Sequence, residues 1–145
     1  MTYFGDPNSH SLFTLDEDIE IGSPLEFCNL GDIDPRCEND TRGLRRFRGG
    51  EFAGVSTQYV VNIDLTTQRA PLHPKTIIPG CKLRCVFRGP VVIRKNLFKG
   101  TPDIGDPIRP TKKGFWKVQK KRTWRTTGTV LSGGDTHFVQ VSLGR

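Results

Sequence analysis

The side chains that most often carry out catalysis are few in this chain, and they form no recognisable motif. The three histidines, His10, His73 and His137, each lie in a segment without a paired nucleophile and carboxylate. A nucleophilic triad needs Ser, Thr or Cys together with His and a carboxylate. No Gly-x-Ser-x-Gly, Walker loop, His-Glu-x-x-His or Gly-x-Gly-x-x-Gly sequence occurs. We therefore expect no enzyme active site and no cofactor.

Metal binding is also disfavoured by the spacing of the usual ligands. The four cysteines are Cys28, Cys37, Cys81 and Cys85, and no pair has the spacing of a zinc site. A strand would place Cys81 and Cys85 on one apolar face, which favours core thiols. Asp16, Asp18 and Glu20 alternate like ligands of a hard cation but lack the glycine and distal glutamate of an EF-hand loop. A solvated acidic run is the better interpretation.

Positive charge and aromatic rings alternate between positions 112 and 125. The cations are Lys112, Lys113, Lys117, Lys120, Lys121, Arg122 and Arg125. Trp116 and Trp124 stand among them and could stack on the bases of a single-stranded nucleic acid while the cations bind phosphates. Two alternatives are an edge strand protected by lysines with both tryptophans in the core, and a basic face that contacts an acidic protein surface. We rank the protein partner first, because the chain contains an acidic segment of its own.

Charge divides the chain into unequal parts. Residues 1–41 carry ten acidic side chains against Arg36 alone, whereas residues 42–145 carry 21 basic and five acidic side chains, within a total net charge of +7. We predict an extended acidic arm at 1–41, an Arg/Gly-rich linker at 42–50 and a β body at 51–145. The arm could be a solvated tail, fold back on its own body or contact a capsid or a second subunit. The residues expected to make that contact are Asp16, Glu17, Asp18, Glu20 and Glu26.

The body has the alternating pattern of short strands separated by Gly and Pro. Strands are predicted at 58–65, 82–87, 90–94, 115–124, 128–132 and 137–143, the last two as a hairpin. No stretch of ten residues has a helical period, and none is apolar enough to span a membrane. With no signal-peptide pattern, a protein made in the cytoplasm is expected. The fold class predicted is mainly β, a small barrel or sandwich of short antiparallel strands.

One short element recurs along the chain. Ile21-Gly22-Ser23-Pro24-Leu25-Glu26 matches Ile104-Gly105-Asp106-Pro107-Ile108-Arg109, and residues 78–83 are a looser copy. Glycine permits a tight turn, and a proline at the first position of a strand forfeits no necessary hydrogen bond. Each copy therefore predicts a turn that leads into a strand.

The order of these elements from about residue 55 onward resembles the small β-barrel decoration, or head-stabilising, proteins of tailed bacteriophages. The matching segments are 80–83, 105–108, 115–118, 128–131, 133–135 and 139–143. The strongly basic body and the acidic segment depart from that pattern. The resemblance implies a structural virion protein on the capsid surface, with the major capsid protein and other copies of itself, such as a trimer, as partners. Alternatives are a neck, tail or head-completion protein and a single-strand nucleic-acid binder.

Overall fold

A computed structural model describes residues 8–15, 19–35, 41–60, 76–77, 82–133 and 137–144. The prediction of a mainly β protein built from short strands is confirmed, and almost every strand pair is antiparallel. Within these residues the single α-helix, α1, spans Leu30–Ile33, and a 3-10 turn spans Lys95–Leu97. No helix in this part of the chain has the length and hydropathy that a membrane crossing requires.

The strands fall into two large sheets and one ribbon. The strands are β1 (Ser9–Phe13), β2 (Ile19–Glu20), β3 (Pro24–Asn29), β4 (Arg42–Arg46), β5 (Phe52–Val60), β6 (Thr76–Ile77), β7 (Lys82–Val86), β8 (Gly89–Arg94), β9 (Phe98–Lys99), β10 (Pro107–Pro110), β11 (Trp116–Val118), β12 (Gly128–Ser132) and β13 (Phe138–Leu143). The first sheet has the order β1-β7-β5-β3-β4, the second has the order β8-β13-β12-β10-β11-β9, and β2 pairs with β6.

The two sheets are built on the same plan. In each sheet the first strand along the chain pairs with the last, and the last pairs with the strand that precedes it along the chain in that sheet. That strand in turn pairs with the first of two consecutive antiparallel strands. Strands β1, β3, β4, β5 and β7 of the first sheet therefore correspond to β8, β10, β11, β12 and β13 of the second. Even the parallel pairing recurs, since Thr14 bridges Leu44 as Phe98 pairs with Trp116. We call the described parts of residues 8–87 the first half and those of 89–144 the second half.

The hydrogen bonds at the recurring sequence element show that the correspondence holds residue by residue. Gly22 and Gly105 both have positive φ, of 99° and 88°, and each precedes by two residues the proline that begins a strand. The Gly22 N–H donates to the Ser56 carbonyl, and the Gly105 N–H donates to the Val130 carbonyl. The recurring element is therefore the same turn, in the same place, in each half.

A close approach between strands is also repeated. Gly54 lies opposite Leu25, and Gly128 lies opposite Ile108, the equivalent residue. A Cβ at Gly54 would be 2.5 Å from the Val86 carbonyl oxygen, and a Cβ at Gly128 would be 2.9 Å from that of Ser142. Each glycine strand then has a β-bulge shortly afterwards, at 56–58 and at 130–132. Such bulges curl a sheet, so each half can wrap around its own core.

Each half contributes a hydrophobic cluster. One consists of Ile19, Leu25, Leu44, Ala53, Leu83 and Cys85, and the other of Val55, Val91, Ile93, Leu97, Ile108, Trp116, Val130, Val139, Val141 and Leu143. Val55 of the first sheet packs in the second cluster, so the halves share a core. Trp116 is fully buried, and its Nε1 donates to the Gly22 carbonyl at 2.8 Å. The indole thus fastens the second half to the turn of the first.

The structure differs from the expectation of an extended arm at residues 1–41. Within that segment, β1 pairs with β7 and β3 lies between β4 and β5 in the interior of the first sheet. The reason is that Leu25 and other apolar residues of the segment are buried in the core. Charge counting missed this because the acids are interspersed with those residues.

The expected linker and two expected strands also differ. Residues 42–46 form strand β4, so no linker separates 1–41 from the rest of the sheet. The strand predicted at 58–65 begins earlier, at Phe52, and positions 61–65 lie outside the described residues. The strand predicted at 115–124 ends at Val118, because the chain turns into a loop there. The strands β7, β8, β12 and β13 agree with prediction to within a residue.

Candidate functional site: a basic groove and an apolar patch on the second sheet

A groove of about 720 Å³ lies where the two halves meet, and we call it the basic groove. Its cationic lining residues are Lys99, Arg109, Lys112, Lys113, Lys117 and Arg125, and its aromatic ones are Phe47, Phe52 and Trp124. No carboxylate is among the described residues that line it. A concentration of one sign of charge in a concave surface attracts anions and binds them better than a flat surface does.

Three of the cations form a row across adjacent strands. Lys99 on β9 pairs in register with Lys117 on β11, which lies directly opposite Arg109 on β10. Neighbouring strands are about 4.8 Å apart, so these like charges are close together. Like charges directly opposite each other destabilise a sheet. We call Lys99, Lys117 and Arg109 the cation row.

The first half neutralises the equivalent position. Glu26 corresponds to Arg109 and lies opposite Arg45, as Arg109 lies opposite Lys117. The Arg45 Nε donates to the Glu26 carboxylate at 2.8 Å, and the main-chain N–H groups of Arg48 and Gly50 donate to its other oxygen at 2.6 and 2.8 Å. The same scaffold therefore holds a satisfied ion pair in one half and two unneutralised cations in the other.

A loop held by hydrogen bonds among its own side chains places Trp124 at the groove. The Thr126 hydroxyl donates to Gln119 Oε1 at 2.6 Å and accepts from the Thr123 N–H at 2.9 Å, while Gln119 Nε2 donates to the Thr123 hydroxyl at 3.0 Å. Thr126 is buried, and its two hydrogen bonds are partly buried, whereas the bond between Gln119 and Thr123 is exposed. Trp124 nevertheless has 75% of its surface exposed, with the Arg125 guanidinium 4.9 Å from its ring centroid. The loop is thus ordered by its own side chains and exposes one indole.

Thr127 at the edge of the groove has a spare hydrogen-bonding group. Its main-chain N–H donates to the Ile108 carbonyl at 3.0 Å, which fixes the residue beside β10. Its side-chain oxygen is buried and has no hydrogen-bond partner among the described residues. Buried hydroxyl groups are usually paired, so this unpaired one is an exception in the structure.

The same sheet has an exposed apolar surface near its other edge. Val92, Leu131 and Phe138 have 58%, 43% and 41% of their surfaces exposed and lie on the neighbouring strands β8, β12 and β13. We call these three residues the apolar patch. Their equivalents in the first half, from the strand register, are Ser11, Thr57 and Lys82, which are polar. Each half also has one aromatic ring beside a cation on this surface, Phe13 with Lys82 and Phe138 with Arg94. The apolar residues particular to the second half are therefore Val92 and Leu131.

The acidic residues predicted to contact a partner do not form one surface. Asp16, Glu17 and Asp18 lie outside the described residues. Glu26 has 1% of its surface exposed and is fully occupied by Arg45 and two main-chain N–H groups, so it is unavailable to a partner. Burial would raise the pKa of Glu26, but those hydrogen bonds and the Arg45 charge outweigh it and hold the pKa below its usual value. Glu20 is half-buried beside a smaller cavity.

The predicted basic face is partly brought together. Lys112, Lys113, Lys117 and Arg125 line the basic groove, whereas Lys120, Lys121 and Arg122 are exposed on the loop beyond β11 and do not line it. The Arg122 guanidinium donates to the Thr129 hydroxyl.

The two tryptophans separate into different roles. Trp116 is fully buried and cannot stack on a base, which corrects that expectation, whereas Trp124 is mostly exposed. The cause is the end of β11 at Val118, after which the strand alternation no longer applies.

Sequence reasoning missed Lys99, Arg109, Phe47 and Phe52 as groove residues. Phe47 and Phe52 come from the segment interpreted as a linker and its junction with the body. A signal for Arg109 was present, because the recurring element ends in Glu26 in its first copy and in Arg109 in its second. That reversal of charge distinguishes the two halves.

His10 and Cys85 lie in packed surroundings. His10 stacks on Phe87 with ring centroids 4.5 Å apart, and its pKa is lowered by burial and by the nearby Arg42 charge. Burial raises the pKa of the Cys85 thiol to about 12, so it is no nucleophile at neutral pH. Within the described segments, no three His, Cys, Asp or Glu side chains are grouped so as to hold a metal ion.

Comparison with known proteins adds no relative. No family model, no curated protein and no solved structure matches the chain. Its function must therefore be argued from its own surfaces.

Proposed function

We propose that the chain is a non-enzymatic structural protein of a virion, a capsid decoration or cement protein that binds the major capsid protein of a tailed phage. The proposal begins from the resemblance in the order of turns and strands. Under this proposal the protein lies on the capsid surface and acts by binding other proteins. A homo-oligomer, such as a trimer, is part of the same expectation.

The observation that supports a protein partner is the apolar patch. Large side chains exposed together are typical of surfaces that bind other proteins. Val92 and Phe138 lie diagonally across β8 and β13, a spacing at which long side chains can touch. The first half folds with Ser11 and Thr57 at the positions of Val92 and Leu131, so the scaffold does not require apolar residues there. Exposed apolar residues at these two positions therefore support contact with a protein partner.

The proposal can be tested by removing and restoring the protein on purified particles. Particles stripped of the protein should eject or expose their genome at lower temperature than intact ones, and added protein should restore the difference. Unchanged particle stability after stripping would contradict a cementing role.

The first half supplies the residues for a matched variant. Val92→Ser and Leu131→Thr would introduce the first-half residues, and Phe138→Thr would remove the ring without placing a second cation opposite Arg94. We expect this triple variant to fold but to cosediment poorly with stripped particles. Replacing Lys120 and Lys121 by serine, on the loop outside both surfaces, is the control and should leave cosedimentation unchanged.

A further inference from the structure

We propose that the basic groove binds single-stranded nucleic acid, with phosphates on the cation row and a base stacked on Trp124. This activity is separate from the capsid-docking function proposed above, because the groove and the apolar patch occupy different strands of the second sheet. The partner is defined by its chemistry: an anionic backbone with accessible aromatic bases.

The cation row is the first support. Lys117 has a cation in register on both sides, Lys99 and Arg109, and no described carboxylate lines the groove to offset them. The first half shows that the scaffold can accommodate a carboxylate at the position of Arg109, because Glu26 occupies it. Unneutralised charge retained on a paired sheet is what a polyanion site requires, since the bound anion supplies the missing negative charge.

Trp124 is the second support, and it favours nucleic acid over an acidic polypeptide. Its indole is exposed on a loop held by the hydrogen bonds of Gln119, Thr123 and Thr126, so little order is lost when a ring stacks on it. Base stacking on an exposed aromatic side chain is a main source of affinity for single strands. A duplex hides the faces of its bases and would gain only the phosphate contacts.

The pairing of β10 and β11 also favours nucleic acid over an extended peptide. Strand β10 is hydrogen bonded to β11 and β12, and β11 is hydrogen bonded to β10 and β9, so neither has a free edge in the groove. An extended peptide that adds to a sheet needs such an edge for its main-chain bonds. Recognition at β10 and β11 must therefore come from side chains, which suits phosphates and bases. The edge strand β9, which contributes Lys99, is only two residues long.

The test measures fluorescence anisotropy of a labelled oligothymidine of about twelve nucleotides, a length within the site size of small β-barrel binders. We expect the logarithm of the association constant to fall linearly with the logarithm of the salt concentration. The slope should be about −2 or steeper, because three cations contact phosphates of a single strand. Trp124→Ala should weaken binding about tenfold. Arg109→Glu should weaken it by about tenfold or more, because it removes one contact and adds repulsion.

Lys82→Glu is the matched control, since it makes the same change in net charge on the first sheet, outside the groove. Its affinity should stay within about twofold of the parent protein after correction for long-range charge. Duplex DNA of the same length and poly-glutamate are the competing ligands. The proposal would be overturned if the oligothymidine and the duplex bound with equal affinity, or if poly-glutamate bound more tightly than the oligothymidine. It would also be overturned if Lys82→Glu and Arg109→Glu lost affinity equally, or if no binding occurred at low salt. Unchanged cosedimentation of Arg109→Glu with stripped particles would separate this site from capsid docking.

Discussion

Arg109 lies directly opposite Lys117 on the neighbouring strand, at the place where the first half holds Glu26 opposite Arg45. One scaffold, repeated within the chain, thus carries a neutral pair in one copy and a doubly positive pair in the other. The first copy acts as an internal reference for what the fold itself requires. Departures of the second copy, in the cation row and in the apolar patch, indicate where function lies.

Arg109→Glu should make the protein more stable. The variant would place opposite charges across β10 and β11, as in the first half. An oppositely charged cross-strand pair is more stable than a like-charged one by about 0.5–1 kcal/mol. Urea unfolding at low salt should show the gain, and added salt should reduce it. Arg109→Gln, which removes the repulsion without adding an attraction, should gain less. A loss of stability with Arg109→Glu would show that the row is not strained.

Glu26→Gln should destabilise the protein by about 2 kcal/mol, because hydrogen bonds to a buried charged group are strong and Arg45 would lose its partner. Chemical unfolding monitored by circular dichroism measures the change. Glu51→Gln is the control, since Glu51 pairs with Arg42 at 3.3 Å while both side chains are mostly exposed. Such exposed pairs contribute less than about 1 kcal/mol. Similar losses for the two variants would contradict the structural role of Glu26.

Acid should remove the stabilisation that Glu26 provides. Because the pKa of Glu26 is lower in the folded protein than the ordinary value of 4.5, the unfolded chain takes up a proton first as pH falls. Its contribution is therefore complete above pH 4.5 and is lost below it, through the folded-state pKa. The difference in unfolding free energy between the parent protein and Glu26→Gln should shrink over that range. A constant difference between pH 7 and pH 3 would be inconsistent with the lowered pKa.

Gly54→Ala should be far more damaging than Gly89→Ala. A Cβ at Gly54 would collide with the Val86 carbonyl, and φ there is 143°, whereas a Cβ at Gly89 would meet nothing within 4 Å, and φ is 96°. We expect a cost of about 1 kcal/mol at Gly89 from backbone strain alone and about 3 kcal/mol or more at Gly54. Thermal unfolding distinguishes them. Gly128→Ala should cost less than Gly54→Ala, because its Cβ would lie 2.9 Å rather than 2.5 Å from the facing carbonyl oxygen and its φ is not positive.

Local patterns predicted the second half well. The alternation of Val139, Val141 and Leu143 identified β13, and the recurring Gly and Pro identified two true turns. In the first half, β7 and the turn into β3 were predicted, but β1 and β4 were missed. Strand β1 pairs with the distant β7, and net charge says nothing about such pairing. Part of the basic groove could be predicted from the sequence, because its residues between Lys112 and Arg125 belong to one contiguous segment. Lys99 and Phe47 join it only through the fold.

The relation between the two proposals also bears on position in a particle. A protein that binds the capsid by its apolar patch and single-stranded nucleic acid by its basic groove would suit a site where shell and genome are both within reach. Success of both tests would therefore favour the neck or head-completion alternative over an outer decoration. Success of capsid docking alone would favour decoration.

The central claim is that the chain binds the capsid through the second sheet, and cosedimentation with stripped particles tests it most directly. The parent protein should bind to saturation, and the Val92→Ser, Leu131→Thr, Phe138→Thr variant should bind at least about tenfold more weakly while unfolding at a similar urea concentration. Equal binding of the two folded proteins would contradict the account.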